Sequence, residues 1–429
     1  MAKKVAFTTL GCKANWADTE AISQALASAG FEIVPFDSEA DAYVVNTCTV
    51  TAIANAQSRQ MLRRARSRSA GALVVAAGCY VEVDRAEVSR IRGVDAVFGS
   101  SDRAGLIEFL CEKLGGDASH SGELAGPLGP LPLGAQSRAR AFLKIQDGCN
   151  RRCAYCIIPQ ARGRSRSLPL EDVLAACRRL SQGHREILLA GIDVGQYGRD
   201  LPARPSLSDL VSRLAGCEGM ARLRISSLDP NQVDDTLIDL IANSPVLCRH
   251  VHLSIQSGSD ATLARMSRGY RARDIARVTR ALHARVSGIA ITGDIIAGFP
   301  GEAEEEHDRT VKLIRSIPIA GLHVFPFSAR SGTRAAAMPG QVSPHVKKRR
   351  ASELRGLATD ARRIFLKSLI NEAFDVILTS RAPDADGFVT AVADNAVKIR
   401  LEPGSCAYAQ MARAIVTAAV DLEVKGRWA

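Results

Sequence analysis

No stretch of this chain stays apolar long enough to cross a bilayer. The longest runs, such as "GALVVAAGC" over 71–79, stop far short of the roughly 20 residues a spanning helix needs. The opening "MAKKVAFTTLGC" is basic. Its apolar run is short and leads straight into a polar stretch, so it reads as a first β-strand and not as a signal peptide. The expectation is a cytoplasmic protein with no membrane partner. Compositional bias is absent too: 46% apolar and 24% charged residues describe a folded globular chain. No internal repeat is visible beyond a βα rhythm.

A further absence carries the chemistry. The stretch "CNRRCAYC" over 149–156 packs three cysteines at CxxxCxxC spacing. A zinc ion or an iron–sulfur cube ordinarily takes four protein ligands. A zinc site would want a second Cys or His pair nearby. The next cysteine, Cys177, instead lies mid-helix in "EDVLAACRRL", on the apolar stripe, and reads as core. A three-cysteine cube leaves one iron free for a small molecule, which is the logic of an open catalytic site.

What is present points the same way. In a reducing compartment the 11 cysteines argue for metal or redox chemistry and against a disulfide framework. The net charge of +11 favours an anionic partner, nucleic acid being the obvious one. A merely basic soluble protein is the alternative on charge alone. At 429 residues two or three domains are expected.

The first third alternates short β-rich runs (Val5–Leu10, Ile33–Phe36, Ala42–Thr47, Leu73–Ala77, Ala96–Phe98) with helical stretches (Asp18–Ala29, Asn55–Arg68). That rhythm predicts a flavodoxin-like, doubly wound α/β domain over 1–114. Residues 115–138 are rich in Gly, Pro and Ser and read as a linker. The rhythm restarts with strands at Ala141–Gln146, Glu186–Ala190, Leu223–Ser226, Val251–Ile255, Ala290–Ile296 and Leu322–Phe325. Six βα units are too few for a closed eight-stranded barrel. They fit a partial (β/α)6 barrel over 139–366, with its chemistry at the C-terminal strand ends. A basic helix is expected at Pro344–Asn371. Short strands in "FDVILTSR", "GFVTAVA", "NAVKIRL" and "AIVTAAVDLEVKG" suggest a small β-barrel over 367–429.

The CxxxCxxC motif follows the strand "AFLKIQ" through Asp147-Gly148, so Cys149, Cys153 and Cys156 belong to the loop above the first barrel strand. In the first domain Cys12, Cys48 and Cys79 each follow a strand: the first, third and fourth. A flavodoxin-like order 2-1-3-4-5 makes these strands neighbours. At ~4.8 Å per strand the span is about 10 Å, short enough for one cluster. Gly11 and Gly78 precede two of these cysteines and would permit close backbone approach. Three unrelated buried thiols is the competing reading. Cys111, Cys217, Cys248 and Cys406 read as packing.

The CxxxCxxC loop with Tyr155 before its last cysteine resembles the signature of radical S-adenosylmethionine (SAM) enzymes. Joined to the second triad, it resembles the radical SAM methylthiotransferases, most closely their MtaB-type branch. The resemblance runs through "TLGCKANWADTEAI", "NTCTVTAIANAQSRQ", "FLKIQDGCNRRCAYCIIPQARGRSRS", "RISSLDPNQV", "LSIQSGSD", "IIAGFPGE" and "HVFPFSARSGTRAA", nearly the whole chain. The isopentenyladenosine branch more often reads GCQMN where this chain has "GCKAN". The ribosomal-protein branch differs in the basic segment after its cluster cysteines.

The resemblance implies two 4Fe–4S clusters. The one on Cys149, Cys153 and Cys156 would bind SAM and cleave it to a 5′-deoxyadenosyl radical. The one on Cys12, Cys48 and Cys79 would carry the sulfur that a second SAM methylates. The implied product is a methylthio group on C2 of N6-threonylcarbamoyladenosine, at position 37 beside the anticodon. Implied partners are the tRNA anticodon stem-loop, a reductant such as flavodoxin or ferredoxin, and an unidentified sulfur donor. Candidate SAM contacts are Tyr155, Gly191, Asp193, Ser226, Ser227, Ser254, Gln256 and the "GFPGE" turn at 298–302. Candidate tRNA contacts are Arg162, Arg164 and Arg166 after the cluster loop. Arg59, Arg63 and Arg66 share one helix face, a pattern that also suits a solvated surface. The C-terminal barrel stands where the family has its tRNA-binding TRAM domain, though its sequence is poor in aromatics. The alternatives are modification of isopentenyladenosine or of a ribosomal-protein aspartate, and a non-catalytic iron–sulfur RNA-binding protein.

Overall fold

The computed structural model describes residues 2–117, 136–404 and 406–429. The linker expected over 115–138 falls largely outside the described residues. The first five strands are β1 (Lys4–Thr9), β2 (Glu32–Pro35), β3 (Ala42–Thr47), β4 (Leu73–Gly78) and β5 (Ala96–Phe98). They form one parallel sheet in the order β2-β1-β3-β4-β5. Helices cover both faces, which is why β3 is buried at every residue and reads as a continuous apolar run. Val5, Val44 and Val75 face one helix layer, while Ala6, Tyr43, Val45 and Ala76 face the other. The pairing that buries these residues also sets the C-terminal ends of β1, β3 and β4 side by side.

The central unit contains β6 (Ala141–Lys144), β7 (Gln146–Asp147), β8 (Arg166–Ser167), β9 (Glu186–Ala190), β10 (Arg222–Ile225), β11 (His250–Gln256), β12 (Ala290–Ala297) and β13 (Gly321–Pro326). Two three-stranded parallel sheets, β10-β9-β6 and β11-β12-β13, meet at a seam bridged by Leu223–Leu247 and Leu228–Leu253. The result is an open six-stranded barrel. Alternate residues such as Leu143, Ile187, Leu223, Leu253 and Ile291 pack under the helices. The intervening residues turn inward and are mixed: Phe142, Leu188 and Ala190 pack against Trp16 and Ala17 of the helix Lys13–Ser28, while others are charged. Glu186 accepts two hydrogen bonds from Arg224, at 2.8 and 3.1 Å. A closed barrel fills its centre with branched apolar side chains; this one also holds a buried ionic cluster of Glu186, Arg222 and Arg224.

The basic helix runs over Pro344–Lys367, with Ser343 as its N-cap, and stops short of the expected Asn371. The last strands are β14 (Ala373–Leu378), β15 (Val389–Ala393), β16 (Lys398–Leu401), β17 (Met411–Val420) and β18 (Glu423–Trp428), closed in the order β14-β15-β16-β18-β17. This small barrel docks on the N-terminal ends of the central strands. Arg222 and Arg224 donate to the Val392 and Ala393 carbonyls, and Arg249 pairs with Asp394 at 2.6 Å. Among the described residues no helix is long and apolar enough to cross a membrane.

Two cysteine triads and the buried network between them

Cys12 caps the helix Lys13–Ser28, Cys48 follows β3, and Cys79 opens the helix Cys79–Val83. Gly11 and Gly78 both take φ of +94°, a conformation glycine reaches without strain. A Cβ on Gly11 would lie 2.8 Å from Cys48 Sγ, so the chain there runs hard against the second cysteine. A Cβ on Gly78 would overlap Asn46 Oδ1 and sit 2.8 Å from the Thr47 carbonyl. Asn15 ties the loops together. Its Nδ2 donates to the Leu10 carbonyl at 2.8 Å and to the Thr47 carbonyl at 3.1 Å. Its Oδ1 lies 3.6 Å from Cys79 Sγ and 3.9 Å from Cys12 Sγ. Gly78→Ala is therefore expected to lose about 1–3 kcal/mol from the forced backbone angle alone, measured by urea unfolding of the apoprotein.

Cys149, Cys153 and Cys156 occupy the loop after β7. The Arg151 backbone N–H donates to Cys149 Sγ at 3.4 Å. Arg268 donates to Cys153 Sγ at 3.1 Å and to the Tyr155 hydroxyl at 3.4 Å. Arg151 pairs with Asp193 and with Asp229, both at 2.6 Å, and Arg268 also pairs with Asp229. These two arginines and two aspartates balance. Gln146 holds the loop to its neighbour: Oε1 accepts from the Ile192 and Asp193 amides at 3.0 and 2.8 Å, and Nε2 donates to the Gly148 carbonyl at 2.6 Å.

Arg162 connects the two triads. It ends the short helix Ile158–Arg162 that follows Cys156. Its Nε donates to Cys79 Sγ at 3.1 Å. Its Nη1 reaches Asp18 at 2.7 Å and Asp147 at 3.1 Å, and Nη2 donates to Asn15 Oδ1. Lys144 pairs with Asp18 and Asp147, and Arg103 with Asp18 at 3.2 Å. All five ionic side chains are buried. Three cations face two carboxylates, so the network carries one positive charge more than its acids cancel, and that excess lies against the Cys79 sulfur.

Six thiols that are all free, in two converging sets each with an arginine on a sulfur, fit thiolate-bound iron–sulfur clusters. A buried cation beside a sulfur stabilises the thiolate over the thiol. Burial pushes the bare Cys79 and Cys149 thiols up to about 12 and Cys156 to about 11, so cluster assembly must displace their protons. Among the described residues no three of the six sulfurs all lie within 4.8 Å of one another.

The remaining candidates divide. Tyr155 packs edge-on against Phe299, ring centres 6.4 Å apart, inside the cluster loop. Gly191 passes close to Gln146, where a Cβ would meet its Oε1 at 3.0 Å. Asp193 lines a cavity of about 480 Å³ beside the cluster loop, with Cys149 Sγ 3.7 Å from its Oδ2. Ser226 is buried beyond β10, with exposed Ser227 next to it, and Ser254 is half-buried. Gln256 is a non-glycine residue at φ +62°, where the β11 register slips; such strain is held at functional ends of strands. Glu302 of the "GFPGE" turn is taken by Arg350 at 2.8 Å and braces the long helix.

Several arginines sit where the sequence does not put them. Arg162 is 4% exposed and cannot meet an RNA backbone, because its fork is spent on Asp18, Asp147, Asn15 and Cys79. Arg59 bonds to the Tyr80 hydroxyl at 2.8 Å and pairs with Glu87. Arg66 is pinned to the Gly93 and Ala72 carbonyls. Arg63 and Arg164 are exposed, and half-buried Arg166 donates to the Arg162 carbonyl at 3.2 Å. Asn15, Asp18, Gln146, Asp229 and Arg268 were not picked out from the sequence. Their work is done at long sequence separation, and only the nearness of Asn15 and Gln146 to motif cysteines hinted at them.

Residues 4–99 match the family described as uncharacterized protein family UPF0004, and residues 143–314 match the radical SAM superfamily. The chain is 38% identical to the threonylcarbamoyladenosine tRNA methylthiotransferase MtaB of Bacillus subtilis (strain 168), covering 92% of this chain and 89% of that protein. It is 32% identical to the ribosomal protein uS12 methylthiotransferase RimO of Desulforudis audaxviator (strain MP104C), covering 99% and 97%. It is also 32% identical to the tRNA-2-methylthio-N(6)-dimethylallyladenosine synthase of Carboxydothermus hydrogenoformans (strain ATCC BAA-161 / DSM 6008 / Z-2901), covering 81% of each. Among solved structures, the cobalamin-dependent S-adenosylmethionine radical enzyme OxsB superposes with a TM-score of 0.52 at 13% identity, over 83% of this chain and 56% of that one. That likeness is one of fold.

Proposed function

The chain belongs to the radical SAM methylthiotransferases, in their MtaB-type branch, and we propose from that premise that it methylthiolates C2 of N6-threonylcarbamoyladenosine at position 37 of tRNA. Membership brings SAM and one 4Fe–4S cluster, and in our reading Cys149, Cys153 and Cys156 hold that cluster. We assign a second to Cys12, Cys48 and Cys79. When bound, these groups supply the radical and the sulfur that an unactivated C–H position demands. The protein's own residues do the rest. Gln146 and Asn15 fix the two cysteine loops, Arg268 and Arg162 hold sulfurs by N–H donation, and Asp18 and Asp147, sharing Lys144 and Arg162, tie the first domain to the second. The observation that carries the reading is this buried network joining two incomplete cysteine sets across a domain boundary. A non-catalytic iron–sulfur protein needs neither the second set nor its alignment with the first.

The basic charge of +11 and the C-terminal barrel favour tRNA over a protein substrate, and we place the anticodon stem against that barrel. The cytoplasm, a flavodoxin- or ferredoxin-type reductant and a separate sulfur donor complete the proposal. Mass spectrometry of tRNA nucleosides from a deletion strain is expected to lack the methylthio form of threonylcarbamoyladenosine while retaining that of isopentenyladenosine. Loss of the isopentenyl product alone would refute the substrate assignment. Loss of neither, with an unmodified uS12 aspartate, would move the enzyme to the ribosomal branch.

A further inference from the structure

On the flank of the open barrel a cavity of about 620 Å³ lies between β11–β13, the helix Pro344–Lys367, the Asn395–Ala396 turn of the small barrel, and Lys13. It is reached from all three parts of the chain. Lys13 directly follows Cys12, and His252 shares β11 with Ser254 and Gln256. The cavity thus has at one wall the residue next in sequence to Cys12, and β11 leads from it toward the strand end at Gln256.

Its charge is one-sided. Lys13, Arg355 and Arg362 line it. Arg355 donates to the Val324 carbonyl at 3.2 Å and Arg362 to the Ala320 carbonyl at 3.5 Å. Among the described residues no carboxylate lies within ion-pair distance of any of the three. Glu186 and Asp294 are the acids that face Lys13, and both are already shared: Glu186 with Arg224, and Asp294 with His252 Nε2 and His323 Nδ1, each 3.1 Å from its Oδ1. These three ligand atoms lie within 4.8 Å of one another, a spacing that would also suit a divalent cation. Arg355 and Arg362, neither with a carboxylate partner among the described residues, together with Lys13 around the same space, oppose that occupant and favour an anion. Arginine forks and a lysine are the groups that bind carboxylates and phosphates.

We infer that this cavity receives the free carboxylate of an anionic substituent on the substrate adenosine, with Lys13, Arg355 and Arg362 supplying its counter-charge. The inference rests on the reading that the substrate is a modified tRNA adenosine. It gives that reading a chemical basis: a neutral, apolar substituent leaves the two arginines of the cavity without an anionic partner, whereas a carboxylate-bearing one supplies it. Sites built to pair a polar group reject analogues that lack it far more strongly than apolar pockets reject a misfit.

The test uses cluster-loaded full-length enzyme and two tRNAs, one bearing the threonylcarbamoyl group and one with its carboxylate capped as the primary amide. A charge-assisted contact contributes ~1.5–3 kcal/mol, so Arg355→Gln and Arg362→Gln should each raise KM for the acid about tenfold or more. KM for the amide should stay the same in wild type and variants. Both positions are remote from the cysteines in sequence, so iron per chain and SAM cleavage without tRNA should not change; Lys13→Gln serves as a third variant under the same iron control. Equal use of acid and amide by the wild type would overturn the inference. So would an equal slowing of both tRNAs by the variants. Weaker binding of unmodified tRNA by the variants would make a backbone phosphate the ligand and overturn it too. If wild type ignores the threonylcarbamoyl tRNA and acts on an isopentenyl one, the substrate assignment itself has failed.

Discussion

Changing Cys12, Cys48 and Cys79 together to Ala is expected to halve the bound iron, abolish the methylthio product and leave SAM cleavage in place. The two-cube count is about eight irons per reconstituted chain, so the variant should hold about four. The separation follows from where the sulfurs come from. The first triad hangs on the ends of β1, β3 and β4, and the second on a single loop whose own supports are Gln146, Arg268 and Arg151. Among the described residues Arg162 alone reaches a first-triad sulfur from the second loop, and three of its four partners survive the substitution. SAM cleavage, read as 5′-deoxyadenosine formed with a chemical reductant, should therefore proceed uncoupled. Changing Cys149, Cys153 and Cys156 should remove cleavage and product together. If the Cys12 triad variant keeps wild-type iron, the second cluster is held elsewhere.

The layout of the first triad was legible because it depends on strand order, which follows from the βα rhythm; the second lies in one contiguous motif. Fully buried runs such as "AYVVNT" mark the centre of a doubly wound sheet, and the cysteines sit at their ends. The C-terminal barrel was legible in outline but not in detail. "AIVTAAVDLEVKG" reads as one strand, yet the chain reverses at Asp421 and Leu422, with φ of +45° and +71°. Asp421 suits the first position of such a turn but Leu422 does not suit the second, so the sequence signal is only half there. The long helix ends before Asn371 because that residue, at φ +71°, turns the chain into β14.

Arginine roles were the least legible part. An arginine after a cluster loop looks like an RNA contact, because exposure is the usual state of the residue. Whether its fork finds two carboxylates inside the fold depends on Asp18 and Asp147, which lie far from each other in sequence. The same holds for Lys13. Its neighbours Arg355 and Arg362 come from a helix more than three hundred residues further along, so the cation-lined cavity has no local motif.

The buried reading of Arg162 has its own consequence. Arg162→Gln should destabilise the apoprotein by about 3–5 kcal/mol, the cost of breaking a buried ionic contact, and should weaken the docking of the first domain on the second. The charge balance ranks the neighbouring variants. Without Arg162 the network keeps two cations, Lys144 and Arg103, against two carboxylates, and becomes neutral. Asp18→Asn leaves three cations against Asp147 alone, so it should cost more than Arg162→Gln. Arg162→Lys preserves the charge but not the fork that spans Asp18, Asp147, Asn15 and the Cys79 sulfur, and should fall between wild type and Arg162→Gln. Urea unfolding of the three apoproteins, monitored on both domains, measures the order. An RNA-contacting arginine gives the opposite pattern: unchanged unfolding midpoints, weakened tRNA binding and a shallower dependence of that binding on salt. That result would return Arg162 to the surface role its place in the sequence suggests and remove the bridge between the two triads.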